Sequence, residues 1–154
     1  LESGSWKLEV GDWLVRAIRV KVDIVARDPF EQSERAKLNL GHTFGHTLEK
    51  LSAYSMRHGD TVAIGLVCAT HLAARLKLCD VSLVTRVSGL LRALELPTRV
   101  PIEMSADAIL DAMSTDKKRV NGRLRFVLPR APGEVVMVDD VTREDVLAAI
   151  DESR

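Results

Sequence analysis

The sequence has 154 residues, 46% of them hydrophobic, which is enough for one domain with a core of its own. Lysine plus arginine (22) equals aspartate plus glutamate (22), and this charge balance argues against a protein that binds nucleic acids or membrane surfaces. The two cysteines, Cys68 and Cys79, form no CxxC pair, and the longest apolar run, about 62–74, is too short to cross a bilayer. These features predict a soluble, cytoplasmic protein.

Apolar residues at helical spacing predict two helices in the first third of the chain. The first covers 12–26, with Asp12 as its N-cap, and Pro29 follows its end. The second covers 37–53, after a polar connection at 31–35. Two opposite stripes run along the second helix, an apolar one of Leu40, Phe44, Leu48 and Leu51 and a polar one of His42, Gly45, His46 and Glu49.

The remaining sequence predicts four more helices and one hairpin. A helix over 60–76 is apolar on all sides, as expected of a central buried helix. Ser105 and Thr142 are the predicted N-caps of two later helices. The shorter helices cover 80–94, 105–115 and 143–151. Alternating apolar residues with a turn at 129–133 predict a hairpin near 123–138, so the expected fold class is mainly α with one small hairpin.

Three of the four histidines, His42, His46 and His58, fall close together in the sequence. An HxxxH pair places two imidazoles on one helix face, and a third at the start of the next helix can converge on the same point. Neutral imidazole is a good zinc ligand, and a catalytic zinc takes three protein ligands and leaves one position open. Histidines on a helix surface or in a cap are the alternative, and spacing alone leaves both open. His71 is interpreted as structural.

The string Asn-Leu-Gly-His-Thr-Phe-Gly-His at 39–46, followed by Glu49 and by His58-Gly59, resembles the signature of the 3-dehydroquinate synthases and related sugar-phosphate cyclases. The resemblance extends upstream, and downstream to a lysine motif, through Lys21, Asp28, Glu31, Arg35 and Asp116-Lys117-Lys118. It therefore covers nearly the whole chain.

The resemblance implies that 1–154 is a helical, metal- and substrate-binding carboxy-terminal domain, and that an NAD-binding amino-terminal α/β domain lies outside this sequence. Enzymes of the family hold zinc, or another divalent metal, with one glutamate and two histidines. His42 and His58 match those histidines, and the glutamate would precede Leu1.

The implied reaction makes the complete enzyme a phosphate-eliminating lyase of the shikimate pathway, which leads to aromatic amino acids. It cyclises the small-molecule sugar-acid phosphate 3-deoxy-arabino-heptulosonate 7-phosphate to 3-dehydroquinate and releases phosphate. The chain by itself is expected to be inactive, and the assembly is expected to include the NAD domain and a homodimer.

The same resemblance implies a catalytic set around the substrate. His46 is the substrate or phosphate contact and relays a proton. Arg35 suits bidentate binding of the carboxylate. The other members of the set are Asn39, which supplies a neutral hydrogen bond, Lys21 and Lys117, which supply positive charge, and Glu31, which supplies a carboxylate. Which of Lys117 and Lys118 faces the site stays open.

Each of these residues has a plain structural alternative on residue type and spacing. Lys21 can extend along an apolar stripe to reach solvent. Arg35 can form a surface ion pair, and Asn39 can cap the histidine helix. Glu31 and Lys117 can be exposed residues of connecting loops.

Three other functions stay open. Metal-dependent polyol and alcohol dehydrogenases of the same superfamily also place histidines on helices, although the GHTFGH string favours a cyclase. Sibling cyclases share the metal site and differ around the substrate, where Asn39, Arg35 and the double lysine favour dehydroquinate. In the third, the chain is a non-catalytic module that binds a metal or a partner.

Overall fold

The structure is a computed structural model that describes residues 5–30, 34–115, 119–120 and 123–154. The chain divides into two compact units, Leu1–Leu38 and Asn39–Arg154. None of the described helices combines the length and the apolar character needed to span a membrane. The extent of the predicted metal- and substrate-binding domain, 1–154, stays a prediction.

The first unit contains α1, Ser5–Arg27. The prediction that Asp12 begins this helix was wrong, because the helix begins at Ser5 and continues through the good helix formers Lys7, Leu8 and Glu9. Its end before Pro29 is as predicted. Several apolar side chains of α1 are more than half exposed, including Trp13 (56%), Leu14 (59%) and Ile18 (52%).

A 3-10 helix, Glu34–Asn39, follows α1. Asp28 is buried, and its Oδ2 accepts a hydrogen bond from the backbone N–H of Arg35 at 2.9 Å. The Nε–H of Arg27 donates to Glu34 at 2.8 Å. These bonds join the end of α1 to the 3-10 helix, and residues 31–33 of the predicted polar connection lie outside the described residues.

The second unit begins with α2, His42–Leu51. The predicted helix over 37–53 was wrong at its start, because Gly41 adopts a left-handed conformation with φ 79° and separates the 3-10 helix from α2. The predicted apolar stripe holds for Phe44 and Leu48, which are each 1% exposed. Leu51, at 38% exposed, lies at the edge of this core.

The next helix, α3, His58–Arg75, is central and buried, as predicted. It packs against α2 at very short range. A β-carbon at Gly65 would overlap the carbonyl oxygen of Gly41 and lie 2.8 Å from the backbone nitrogen of Gly45. The two glycines of the GHTFGH string and Gly65 therefore allow the close approach of the two helices.

Three shorter helices follow, α4 (Ser82–Ala93), α5 (Ala106–Thr115) and α6 (Arg143–Asp151). The two predicted N-caps are confirmed. Ser105 Oγ accepts from the N–H of Ala108 at 3.1 Å, and Thr142 Oγ1 accepts from the N–H of Asp145 at 3.1 Å. Because these caps are local contacts, the sequence located both helix starts.

Within the described residues, four strands form two antiparallel ladders. The strands are β1 (Arg119–Val120), β2 (Arg123–Leu124), β3 (Phe126–Ala131) and β4 (Glu134–Val138). The β3–β4 hairpin confirms the predicted one. Its turn is shorter than predicted, because Pro129 lies in β3 at a register irregularity, where a missing N–H is tolerated. The β1–β2 ladder was not predicted, since two-residue strands carry no periodicity.

Candidate metal centre

Three histidine rings meet where the start of α3 lies against α2. His42 and His46 are one helical turn apart on α2, and His58 is the first residue of α3. The ring centroids are 5.2 Å apart for His42 and His46, 5.6 Å for His42 and His58, and 5.7 Å for His46 and His58. One ligand atom from each residue lies within 4.8 Å of the others.

The connection between α2 and α3 brings the third ring to the other two. After α2 ends, Ala53 and Tyr54 adopt positive φ values of 49° and 60°. The backbone N–H of Tyr54 donates to the carbonyl of Glu49 at 2.8 Å, and that of Ala53 donates to Lys50 at 3.0 Å. The chain therefore turns back at once, and α3 begins beside the last turns of α2.

Hydrogen bonds orient two of the three rings. His42 Nδ1 lies 3.3 Å from the carbonyl oxygen of Leu40, and His58 Nδ1 lies 3.3 Å from both carboxylate oxygens of Glu49. A carbonyl or an ionised carboxylate only accepts, so Nδ1 is the donor in each ring, and in a neutral imidazole Nε2 then keeps a lone pair. Metal-bound histidines characteristically donate their other ring N–H in this way. The donor set of His42 and His58 therefore fits a divalent metal.

A small cavity of about 20 Å³ adjoins the cluster, which is room for about one water molecule. Its lining comes from α2, α5 and the segment before β3, and consists of His42, Thr43, His46, Thr47, Met113, Leu124 and Arg125. The site thus continues from the histidine rings into a polar and partly apolar recess.

Arg125 is the cation that lines this cavity. Its Nε–H and Nη2–H donate to the two carboxylate oxygens of Asp139 at 2.7 and 2.9 Å. These hydrogen bonds, together with the negative charge of Asp139, raise the pKa of the Arg125 guanidinium. The ion pair holds the Arg125 side chain at the cavity beside His42 and His46, with its charge balanced by Asp139.

The other predicted site residues are distributed over the two units or are not described. Lys21 lies exposed on α1, and Arg35 donates from Nη1 to the carbonyl of Pro29 at 2.8 Å, both in the first unit. Asn39 ends the 3-10 helix and does not cap α2, whose N-cap is Gly41. Glu31, Lys117 and Lys118 lie outside the described residues. The roles of all these residues stay predictions.

Two contacts of the site were missed from the sequence. Glu49 was placed on the histidine face of its helix, and that spacing was the signal for its contact with His58. Arg125 had no such signal, because it reaches the cavity from a segment about eighty residues further along the chain.

Solved structures of two cyclases share the fold. The 2-epi-5-epi-valiolone synthase of Streptomyces hygroscopicus subsp. jinggangensis 5008, with NAD⁺ and Zn²⁺ bound, superimposes with a TM-score of 0.79 and 27% identity over 90% of this chain and 38% of that chain. A 2-deoxy-scyllo-inosose synthase, complexed with carbaglucose-6-phosphate, NAD⁺ and Co²⁺, matches with a TM-score of 0.81 and 21% identity over 95% of this chain and 41% of that chain. The predicted dehydroquinate synthase-like fold is confirmed.

Two curated relatives both carry the name 3-dehydroquinate synthase. The 3-dehydroquinate synthase of Ruegeria pomeroyi is 44% identical over 146 residues, which are 91% of this chain and 40% of that protein. The 3-dehydroquinate synthase of Xanthomonas campestris pv. campestris (strain 8004) is 43% identical over 140 residues, 87% of this chain and 38% of that protein. The chain spans about two fifths of the length of these relatives.

A family model described as 3-dehydroquinate synthase C-terminal matches residues 6–119, which is more than half of the chain. The matched region includes the whole histidine cluster. The chain therefore belongs to the family of 3-dehydroquinate synthase carboxy-terminal domains.

Proposed function

We propose that this chain supplies the metal site and part of the substrate site of a 3-dehydroquinate synthase. The complete enzyme would convert 3-deoxy-arabino-heptulosonate 7-phosphate to 3-dehydroquinate and phosphate, using NAD bound by an amino-terminal domain. The observation that carries the proposal is the convergence of His42, His46 and His58, with Nδ1 of His42 and His58 engaged by acceptors. The names of the curated relatives support the choice of substrate.

In this proposal His42 and His58 hold Zn²⁺, or another divalent ion, through Nε2. The bound ion would supply Lewis-acid polarisation of the sugar hydroxyls. His46 contacts the substrate or its phosphate, and it moves a proton because imidazole titrates near neutrality. Arg125, held by its ion pair with Asp139, places a guanidinium beside these rings in the lining of the same cavity.

The predicted binding residues complete the proposal. Arg35 would bind the carboxylate, and the neutral and charged groups of Asn39, Lys21, Lys117 and Glu31 would bind or orient the rest of the substrate. A homodimer and a cytoplasmic setting belong to the same proposal. The free thiols of the two cysteines support a reducing compartment.

The test measures Zn²⁺ content and NAD-dependent phosphate release on this chain alone and on this chain joined to the amino-terminal region of the Ruegeria pomeroyi relative. We expect phosphate release only from the joined protein, and we expect His42→Ala to remove both zinc and activity. His46→Ala is expected to keep the zinc and lose the activity. A joined protein that holds zinc but ignores the seven-carbon acid phosphate contradicts the proposal.

A sibling sugar-phosphate cyclase is the second candidate, favoured by the likeness to the 2-epi-5-epi-valiolone synthase. A seven-carbon sugar phosphate without a carboxylate separates the two. A dehydroquinate synthase should reject it, because Arg35 would lose its partner. Turnover of that sugar phosphate instead would favour the sibling cyclase, and turnover of neither compound with zinc bound would favour a non-catalytic module.

A further inference from the structure

Glu49 is the hydrogen-bond partner of His58, a predicted metal ligand. It lies two turns after His42 on the same face of α2, and its two carboxylate oxygens are each 3.3 Å from Nδ1 of His58. The contact joins the end of α2 to the first residue of α3.

The side chains of Glu49 and His58 differ in how much of their surface is exposed to solvent. The side chain of Glu49 is 18% exposed, whereas that of His58 is 56% exposed. A carboxylate that has lost most of its water needs hydrogen-bond donors, and the Nδ1–H of His58 is one. The imidazole is therefore supported from the protein side while most of its surface remains accessible.

We propose that Glu49 positions His58 for metal binding by accepting the Nδ1–H, which fixes the ring orientation and leaves the lone pair on Nε2. This inference rests on the proposed metal site. Glu49 is a positioning residue because it acts through His58. The negative charge on its carboxylate also makes the imidazole a better donor to a cation.

Glu152 provides a matched comparison, because its Oε2 also lies 3.3 Å from the Nδ1 of a histidine, His71. That pair sits at the other end of α3 and has no second histidine in the described residues around it. A carboxylate that only stabilises a histidine locally should behave like Glu152. One that prepares a ligand should affect metal affinity.

The experiment titrates the full chain with Zn²⁺ against a chromophoric chelator and with Co²⁺ by absorption, for wild type, Glu49→Ala, Glu49→Gln and Glu152→Gln. Glu49→Ala is expected to weaken Zn²⁺ binding by roughly 10- to 100-fold, the range for partners of metal-bound histidines. Glu49→Gln should fall between wild type and Glu49→Ala, because its amide oxygen still accepts but carries no charge. Glu152→Gln should bind zinc as the wild type does.

A second measurement does not need the metal. Nitrogen NMR shifts of His58 in the metal-free chain should show a proton on Nδ1 in the wild type and a mixture of tautomers in Glu49→Ala. Circular dichroism checks that each variant is folded.

Unchanged affinity and an unchanged tautomer in both Glu49 variants would overturn the inference while leaving the metal site standing. If the wild-type chain alone binds neither ion, the same titrations are run on the chain joined to the amino-terminal region of the Ruegeria pomeroyi relative, which would supply the glutamate ligand. Absence of binding in that joined protein contradicts the proposed metal site, and with it the role of Glu49.

Discussion

The two ends of α3 carry the same pair of side chains in different surroundings. At the first end His58 contacts Glu49, at the other end His71 contacts Glu152, and both contacts are 3.3 Å long. The two histidines are thirteen positions apart, about 20 Å along the helix. The distance within a pair therefore does not distinguish them.

Their neighbours do distinguish them. Glu152 also accepts from Nη1 of Arg75 at 2.9 Å, so its charge is already balanced, and the side chain of His71 is only 21% exposed. The ring of His58 is instead exposed, and the ring centroids of two further imidazoles lie within 5.7 Å of its own centroid. A histidine–carboxylate pair thus indicates a metal site only when other ligand atoms converge on it.

The largest effect should come from removing the histidine at each end. His58→Ala is expected to weaken Zn²⁺ binding by more than about 100-fold, because a lost ligand costs more than the roughly 10- to 100-fold loss for a ligand's partner. His71→Ala should leave the affinity unchanged. Chelator competition on both variants checks this, and equal losses would erase the distinction between the two ends.

A second variant breaks the packing that places the rings. Gly65→Ala should lower the free energy of unfolding by about 1–3 kcal/mol, because its methyl group would overlap Gly41 and crowd Gly45. Gly89→Ala on α4, with no atom within 4 Å of the added carbon, should raise the free energy of unfolding by roughly 0.5–1 kcal/mol. Urea unfolding measures the free energy of unfolding of both variants. If Gly65→Ala does not change it, the close packing of α2 and α3 does not contribute to stability.

The buried half of α3 should also respond to pH. Burial raises the pKa of the Cys68 thiol to about 12. An unfolded cysteine ionises near pH 8.5, so the folded state keeps a proton that the unfolded state loses, and stability falls as the pH rises from about 8.5 towards 12.

Urea unfolding at pH 8 and pH 10 should therefore show a loss of about 2 kcal/mol in the wild type. Cys68→Ala should show a smaller loss between these pH values. An equal loss of stability in both proteins would show that a group other than Cys68 causes the pH dependence.

The smallest effect concerns the helix that leads to Glu152. Thr142→Ala removes the side-chain cap of α6 and should lower the free energy of unfolding by about 1 kcal/mol. Zinc affinity should not change, because α6 supplies no residue of the histidine cluster. A coupled loss of zinc affinity would show that the two ends of α3 are not independent.

Much of the fold was predictable because its signals are local. The apolar character of α3, the caps Ser105 and Thr142 and the alternation in β3 each depend on residues a few positions apart. Two of the bounds that were wrong involve Gly41 and Pro129. The conformation of Gly41 depends on the close packing of α3, and the position of Pro129 depends on the register of β3 with β4. Neither relation can be seen in a short stretch of sequence.

The sequence by itself determined that His42 and His46 share a helix face, because helical periodicity fixes their spacing, and it placed His58 close to the start of the next helix, which was predicted over 60–76 and begins at His58. Only the tertiary structure decided that the three rings converge, that Glu49 holds His58 and that Arg125 lines the adjoining cavity. Those relations depend on how closely α2 and α3 pack and on which strand lies over them. They are set by contacts between residues distant in the chain.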